Sequence, residues 1–264
     1  MTTHSILKHA TDEQLDLAVF ENLHDLFRAM AGTLPKSELV EEEKLSYHLT
    51  FPTNPMFKGV WNARLSASEA DQTIDRIIAW FKEKNAPYFF WWTGGYTLSA
   101  DLEERLAKRG MISMAEQTQE LAKGIHSTAQ GSPCMIAELS KMNESVLDKT
   151  PPGFVIKEIE NEAELYDFKK VFVETYEIPA WAGQAWVDAT LKIGIGKTRW
   201  RMFVGYLNGE PVATNTLFNG GGVASVYAVA TLPSAQGKGI GAAITLKPLL
   251  DARDKDGYVY AVLF

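Results

Sequence analysis

A single cysteine, Cys134, stands among 264 residues, so an intrachain disulfide cannot form and a cysteine-based metal site is excluded. Basic residues are outnumbered, 26 Lys and Arg against 33 Asp and Glu. The net charge of -7 disfavours a nucleic-acid partner, which needs a basic face, and suits a cationic amine better than an acidic ligand. No apolar run is long enough to cross a bilayer, and Met1 to Ala10 lacks a signal peptide's hydrophobic stretch. The expectation is a cytoplasmic protein without membrane contact. The five histidines, His4, His9, His24, His48 and His126, lie in the N-terminal half without metal-ligand spacing, and no metal is expected. No G-x-x-x-x-G-K-[ST] string occurs, which argues against nucleotide hydrolysis on a Walker loop. What remains, 46% hydrophobic and 22% charged, is ordinary globular usage, and the length suits two domains.

What the chain does have is a glycine-rich turn between a strand and a helix. The β-prone run Val223 to Ala230 leads into Gln236-Gly-Lys-Gly-Ile-Gly241, and the apolar segment Ile240 to Leu250 leads out. Helix-initial N–H groups have no intrahelical partner. With no side chains on Gly237, Gly239 and Gly241, an anion can approach those donors, and the helix dipole favours it. The ligand expected here is phosphorylated. Upstream, Trp200 to Tyr206 and Pro211 to Phe218 flank Asn208-Gly209, which suits a tight hairpin turn. Asn219 to Gly222 forms a second glycine turn, giving an antiparallel meander before the helix. The string Gly237 to Ala242 also fits a loose dinucleotide pattern, with Asp256 near the place of a ribose-binding acid. That pattern belongs in a first βαβ unit followed by parallel strands, and here a meander precedes it. Pro248 inside the helix predicts a kink.

The pattern Gln-x-x-Gly-x-Gly at Gln236 to Gly241, reached through a strand ending Val229-Ala-Thr-Leu-Pro233, resembles the acyl-coenzyme A signature of the GCN5-related N-acetyltransferases (GNAT). The resemblance covers about residues 150 to 264. Element order agrees with it. Phe154 to Ile159 reads as a strand. Asn161 and Glu164 read as a capping box opening a helix with Leu165, Phe168 and Phe172 on one face. A second helix is expected over Trp186 to Ile193, and a fifth strand over Tyr258 to Leu263. The implied fold is α/β, a mixed, mainly antiparallel sheet flanked by helices.

The N-terminal half echoes that order. A helix is expected over Asp12 to Ala31, strands over Leu45 to Leu49, Gly59 to Leu65 and a buried Tyr88 to Trp92. A helix capped by Ser66 or Ser68 carries Ile74, Ile77, Ile78 and Phe81, and another opens at Ser99, carries Leu102 and Leu106, and stops at Gly110. With no glycine signature there, residues 1–130 read as a degenerate GNAT-like copy. A linker follows at 131–152 and a coenzyme-binding domain at 153–264.

The resemblance implies acetyl-coenzyme A as cosubstrate and a primary amine as acceptor, on a small molecule or a peptide. The diphosphate is expected on Gln236, Gly237, Lys238, Gly239, Ile240, Gly241 and Ala242. Oxyanion-stabilising N–H groups are expected near Val229, Ala230 and Thr231. An alkylamine with a pKa of about 10.4 is nucleophilic in only roughly one molecule per thousand at neutral pH, so a base should take its proton. The strand Val223 to Thr231 offers only Tyr227 as a titratable side chain. Glu177 or Glu174 are candidates for the base, with Tyr176 and Trp181 against the acceptor; the alternative for these is a surface carboxylate and a core tryptophan. The family continues past the fifth strand with a helix, two strands and often a tyrosine that protonates the leaving thiolate. Phe264 ends the present sequence before them, so the expectation is either a truncated or alternative product or a gap filled by the N-terminal half or a second subunit; an open sheet flank would invite partner pairing, a homodimer being one outcome. A non-catalytic acyl-coenzyme A binding or sensing module is the alternative function, and a nicotinamide oxidoreductase a third.

Overall fold

The computed structural model describes residues 5–33, 37–50, 58–86, 88–94, 99, 101–113, 134–197 and 199–263. His4, His126, Phe264 and the linker residues 131–133 lie outside this set. The described residues up to Ala29, together with those from Met135 onward, form one compact unit; Met30–Cys134 form the other. This division differs from the expected one at both boundaries.

The second unit contains strands β1 (Glu38–Glu41), β2 (Ser46–Leu49) and β3 (Lys58–Trp61), helix α2 (Ala67–Glu83), strand β4 (Phe90–Trp91) and helix α3 (Leu102–Ala107). The sheet order is β1-β2-β3-β4, antiparallel except for the parallel β3/β4 pair. Ala70, Ile74, Ile77 and Phe81 of α2 pack with Leu45, Val60, Leu65, Leu102 and Leu106, the stripe expected of an amphipathic helix. Two expectations need correction. β4 is two residues long and half-buried, and Tyr88 is exposed; α3 starts after Asp101, with the Ser99 hydroxyl donating to its carboxylate.

The first unit opens with α1 (Asp12–Ala31), whose residues up to Ala29 belong to it, and resumes with β5 (Met135–Glu138). There follow β6 (Phe154–Glu158), α4 (Glu162–Tyr176), α5 (Ala180–Ile193), β7 (Trp200–Leu207), β8 (Glu210–Gly220), β9 (Val223–Thr231), α6 (Ile240–Asp256) and β10 (Tyr260–Leu263). The sheet order is β5-β10-β9-β8-β7-β6. Pairing is antiparallel throughout except between β9 and β10. In the β7–β8 hairpin Asn208 and Gly209 both take positive φ, 51° and 87°, as a primed turn requires. The Asn161 side chain accepts from Glu164 N at 3.1 Å, while Glu164 returns its bond to Glu160 N at 2.8 Å, one residue ahead of the cap.

Both units share one run: two antiparallel strand pairs, a crossover helix of 17 residues, and a strand parallel to the third. β1-β2-β3-α2-β4 matches β7-β8-β9-α6-β10 strand for strand. The fold is thus α/β, two related units with mixed, mainly antiparallel sheets flanked by helices.

Two further expectations are corrected. Residues 135–149, read as linker, form β5 and two short 3-10 turns; Leu139 is fully buried in the core with Ala261 and Ala252. The flank of β10, expected open, is covered by β5 through Tyr260↔Glu138 to Leu263↔Met135. α5 also begins six residues earlier than the pattern over Trp186 to Ile193 suggested, directly after Pro179.

Candidate functional site: the cleft at the bulge of β9

β9 is irregular where it matters. Its register against β8 slips between Thr214 and Thr216, and Ala228 takes φ 49°, a left-handed conformation that costs a non-glycine residue about 1 kcal/mol or more. The Thr214 hydroxyl donates to Ala228 O at 2.9 Å and holds this bulge. β10 pairs with β9 only at Ala224 and Ser225, so from Val226 to Thr231 one edge of β9 has no strand partner among the described residues. A cleft of about 380 Å³ opens there, lined by Thr175 and Tyr176 of α4, Val229 to Thr231 of β9, and Gln236, Gly237 and Gly241 of the turn.

The turn is built to present main-chain donors. Gly237 and Gly239 adopt φ 73° and 77°, and Gly239 is the N-cap of α6, with no side chain capping it. Ala243 N is the first to find a carbonyl, that of Gly239 at 3.0 Å; the N–H groups of Gly237 to Ala242 make no main-chain hydrogen bond among the described residues. Six main-chain donors are thus left at the start of α6, where the helix dipole adds positive partial charge. Ile240 contributes only its backbone, since its side chain is fully buried. Gln236 folds its amide onto Thr231 O at 3.0 Å, and Lys238 rests its ammonium on Ser234 O at 2.8 Å, both exposed to solvent.

Gly239 has a second reason to be glycine. A Cβ there would stand 2.8 Å from Lys149 O, so the segment read as linker packs against the turn and brings an exposed lysine beside it. Sequence reasoning missed Lys149 and Thr175. Neither carries a motif; tertiary packing brings Thr175 to the cleft and Lys149 to the turn.

The expected catalytic and acceptor residues are not brought together. Tyr227 donates its hydroxyl to Asn22 of α1 at 2.8 Å and does not line the cleft. Glu177 is the exposed C-cap of α4 at φ 51°. Glu174 lines a groove on another side of α4 with Tyr166, Lys169 and Lys170, and Trp181 sits in the first turn of α5. Only Tyr176 reaches the cleft, where its hydroxyl donates to Val229 O at 2.8 Å and its ring meets Phe172 edge-on at 5.1 Å. Burial raises its pKa, so it remains a protonated donor at neutral pH. The Thr175 hydroxyl, in the same wall, is closed off from solvent without a partner; such a group costs about 1–3 kcal/mol.

The dinucleotide reading loses its acid. Asp256 accepts from Arg201 at 3.2 Å and Asn219 at 3.3 Å, and the helix places it about 24 Å from the glycines. In the second unit the equivalent helix start is already occupied. Ser66 N donates to Glu69 at 3.2 Å, and Glu69 also holds Lys44 at 2.7 Å. A carboxylate thus stands where an anionic ligand would enter. Among the described residues no cluster of three or more His, Cys, Asp or Glu side chains is arranged to hold a metal, and no helix is long and apolar enough to cross a membrane.

No family model and no curated protein sequence matches the chain. Solved structures do. A GCN5-related N-acetyltransferase from Kribbella flavida superposes with a TM-score of 0.63 at 16% identity, over 94% of this chain and 86% of its own. A tandem GNAT protein from the clavulanic acid biosynthesis pathway gives 0.53 at 11% identity, over 95% and 85%. A functionally unknown conserved protein from Staphylococcus epidermidis ATCC 12228 gives 0.50 at 13%, over 86% and 83%. The shared run of elements in both units, the bulged strand and these superpositions together give the chain the fold of the tandem GCN5-related N-acetyltransferases.

Proposed function

We propose that the first unit binds an acyl-coenzyme A, acetyl-coenzyme A in the simplest case, and transfers its acyl group to a primary amine. The observation that carries the reading is the set of unpaired N–H groups from Gly237 to Ala242 at the start of α6, next to a strand edge left unpaired beyond Ser225. The pyrophosphate would lie on those amides. The arm beyond it would follow the β9 edge to Val229, Ala230 and Thr231, whose N–H groups are candidates to stabilise the developing oxyanion. The amine lone pair attacks the thioester carbonyl carbon, the C–S bond breaks, and the proton lost by nitrogen balances the one gained by the thiolate.

A second reading has its own support. Among the described residues no Asp, Glu or His lines the cleft, so none of them serves there as a strong base, and a module that binds acyl-coenzyme A without turnover fits the same geometry. Calorimetric titration with acetyl-coenzyme A, followed by thiol release with a panel of amines, separates the two. Binding with release supports the transferase, binding without release supports the module, and no binding defeats both. The acceptor, the compartment and self-association are further proposals: an amine, tested by the same assays; a place inside the cell, tested by locating the tagged protein; and a homodimer, tested by sedimentation.

A further inference from the structure

Among the described residues of the first unit, two buried hydroxyls lack a hydrogen-bond partner, Thr175 Oγ1 and Thr216 Oγ1. They differ in position. Thr216 is fully buried in β8, opposite Tyr227, and off the cleft. Thr175 lies in the last turn of α4 and lines the cleft. A helical threonine commonly turns its hydroxyl back onto the carbonyl four residues earlier. Thr190 does so with Trp186 and Thr245 with Gly241, each at 2.8 Å. Thr175 does not, and its neighbour Tyr176 already spends its own hydroxyl on Val229 O. On the α4 wall, Thr175 is the hydroxyl left to serve a ligand; it is closed off from solvent as it stands, and a turn about χ1 between the two rotamers open to a helical threonine presents it to the cleft.

We propose that Thr175 is a binding residue of this cleft, pairing with an amide of the neutral arm that joins the pyrophosphate to the thioester. The assignment rests on the acyl-coenzyme A reading above. Charge selects the arm over the phosphates. The C-terminal end of a helix carries negative partial charge, and the exposed C-cap of α4, two residues after Thr175, is the carboxylate Glu177. A phosphate is repelled there, whereas an amide that donates to or accepts from a hydroxyl is not. The phosphates belong at the opposite wall, on the start of α6.

The test compares the wild type with Thr175→Val, Thr175→Ser and Thr216→Val by calorimetry, using coenzyme A and ADP as probes, with melting temperatures to show that each protein is folded. Thr175→Val should weaken coenzyme A by about tenfold, some 1.4 kcal/mol, while holding ADP within about twofold. Its melting temperature should stay level or rise. Thr175→Ser should restore the affinity, and Thr216→Val should leave both probes unaffected. Thr175→Ala replaces the valine variant should that one melt early. Thr175→Val with wild-type affinity for coenzyme A, or with parallel loss of both probes, overturns this assignment alone. A wild type that binds neither probe overturns the coenzyme reading beneath it.

Discussion

At the scale of single residues, the three glycines of the turn answer to different forces. Gly237 and Gly239 are held at positive φ, and Gly239 also abuts Lys149 O. Gly241 is helical, and a Cβ on it would meet only Thr231 Oγ1 at 3.5 Å, an ordinary contact. Gly241→Leu should therefore fold, with about 0.5–1 kcal/mol gained by removing a helical glycine, while its side chain fills the cleft and weakens coenzyme A at least about tenfold. Gly239→Leu should lower the melting temperature too. Calorimetry and circular dichroism melts read both, and unchanged affinity in Gly241→Leu counts against the cleft. His48 makes a second test. It is 1% exposed beside Trp61, and burial lowers its pKa to about 3. The unfolded chain, near 6.5, binds the proton that the native state refuses, so stability is full above about pH 6.5 and falls as pH drops toward 3, by a few kcal/mol at most. His48→Phe should flatten that slope between about pH 6.5 and 5 in scanning calorimetry, where few carboxylates titrate; an unaltered slope would mean other groups carry it.

Among the elements, α6 shows what a helix pattern conceals. Pro248 removes the N–H that would have bonded Ile244 O, at a cost of about 3 kcal/mol in an ordinary helix. Here the helix runs on to Asp256, because Asn215 of β8, fully buried, donates Nδ2 to Ile244 O at 2.9 Å. Proline and asparagine form one joint between helix and sheet. Asn215→Leu should cost about 2 kcal/mol in the wild type by leaving that carbonyl unpaired. In a Pro248→Ala background the helix bonds its own carbonyl, and the cost should shrink by about 1 kcal/mol. Urea denaturation of the four proteins measures the coupling, and additivity would show that the two residues act independently. Neither residue announced this link in the sequence, where Pro248 reads only as a kink.

For the molecule as a whole, the glycine turn at 219–222 is as much a docking surface as a hairpin. Gly221, at φ 58°, would place a Cβ 2.7 Å from Ala18 O of α1. Asp25 of the same helix accepts from Gly221 N at 3.0 Å and from Arg199 at 2.8 Å, and Asn22 donates to Gly220 O at 3.0 Å. Val19 completes the seam against Val223 and Val262. α1 thus belongs chiefly with a sheet that begins more than a hundred residues later. Gly221→Ala should destabilise the protein by about 2–4 kcal/mol through strain and lost packing, seen as a lower melting temperature. Gly209→Ala, whose Cβ meets nothing within 4 Å, should cost less.

What could be read from residues alone was local: the Asn-Gly hairpin, the Asn161 cap, the stripe of α2 and the succession of strand, glycine turn and helix beside the cleft. Each depends on contacts between near neighbours, where backbone conformation and periodicity are written directly into residue type. Tertiary structure decided the rest. It assigned α1 to the distant sheet, turned part of a polar linker into β5, drew Tyr227 to Asn22, and brought Thr175 to the cleft and Lys149 to the glycine turn. Those outcomes depend on which surfaces are buried against each other across long separations in the chain, and one-dimensional spacing holds no record of that.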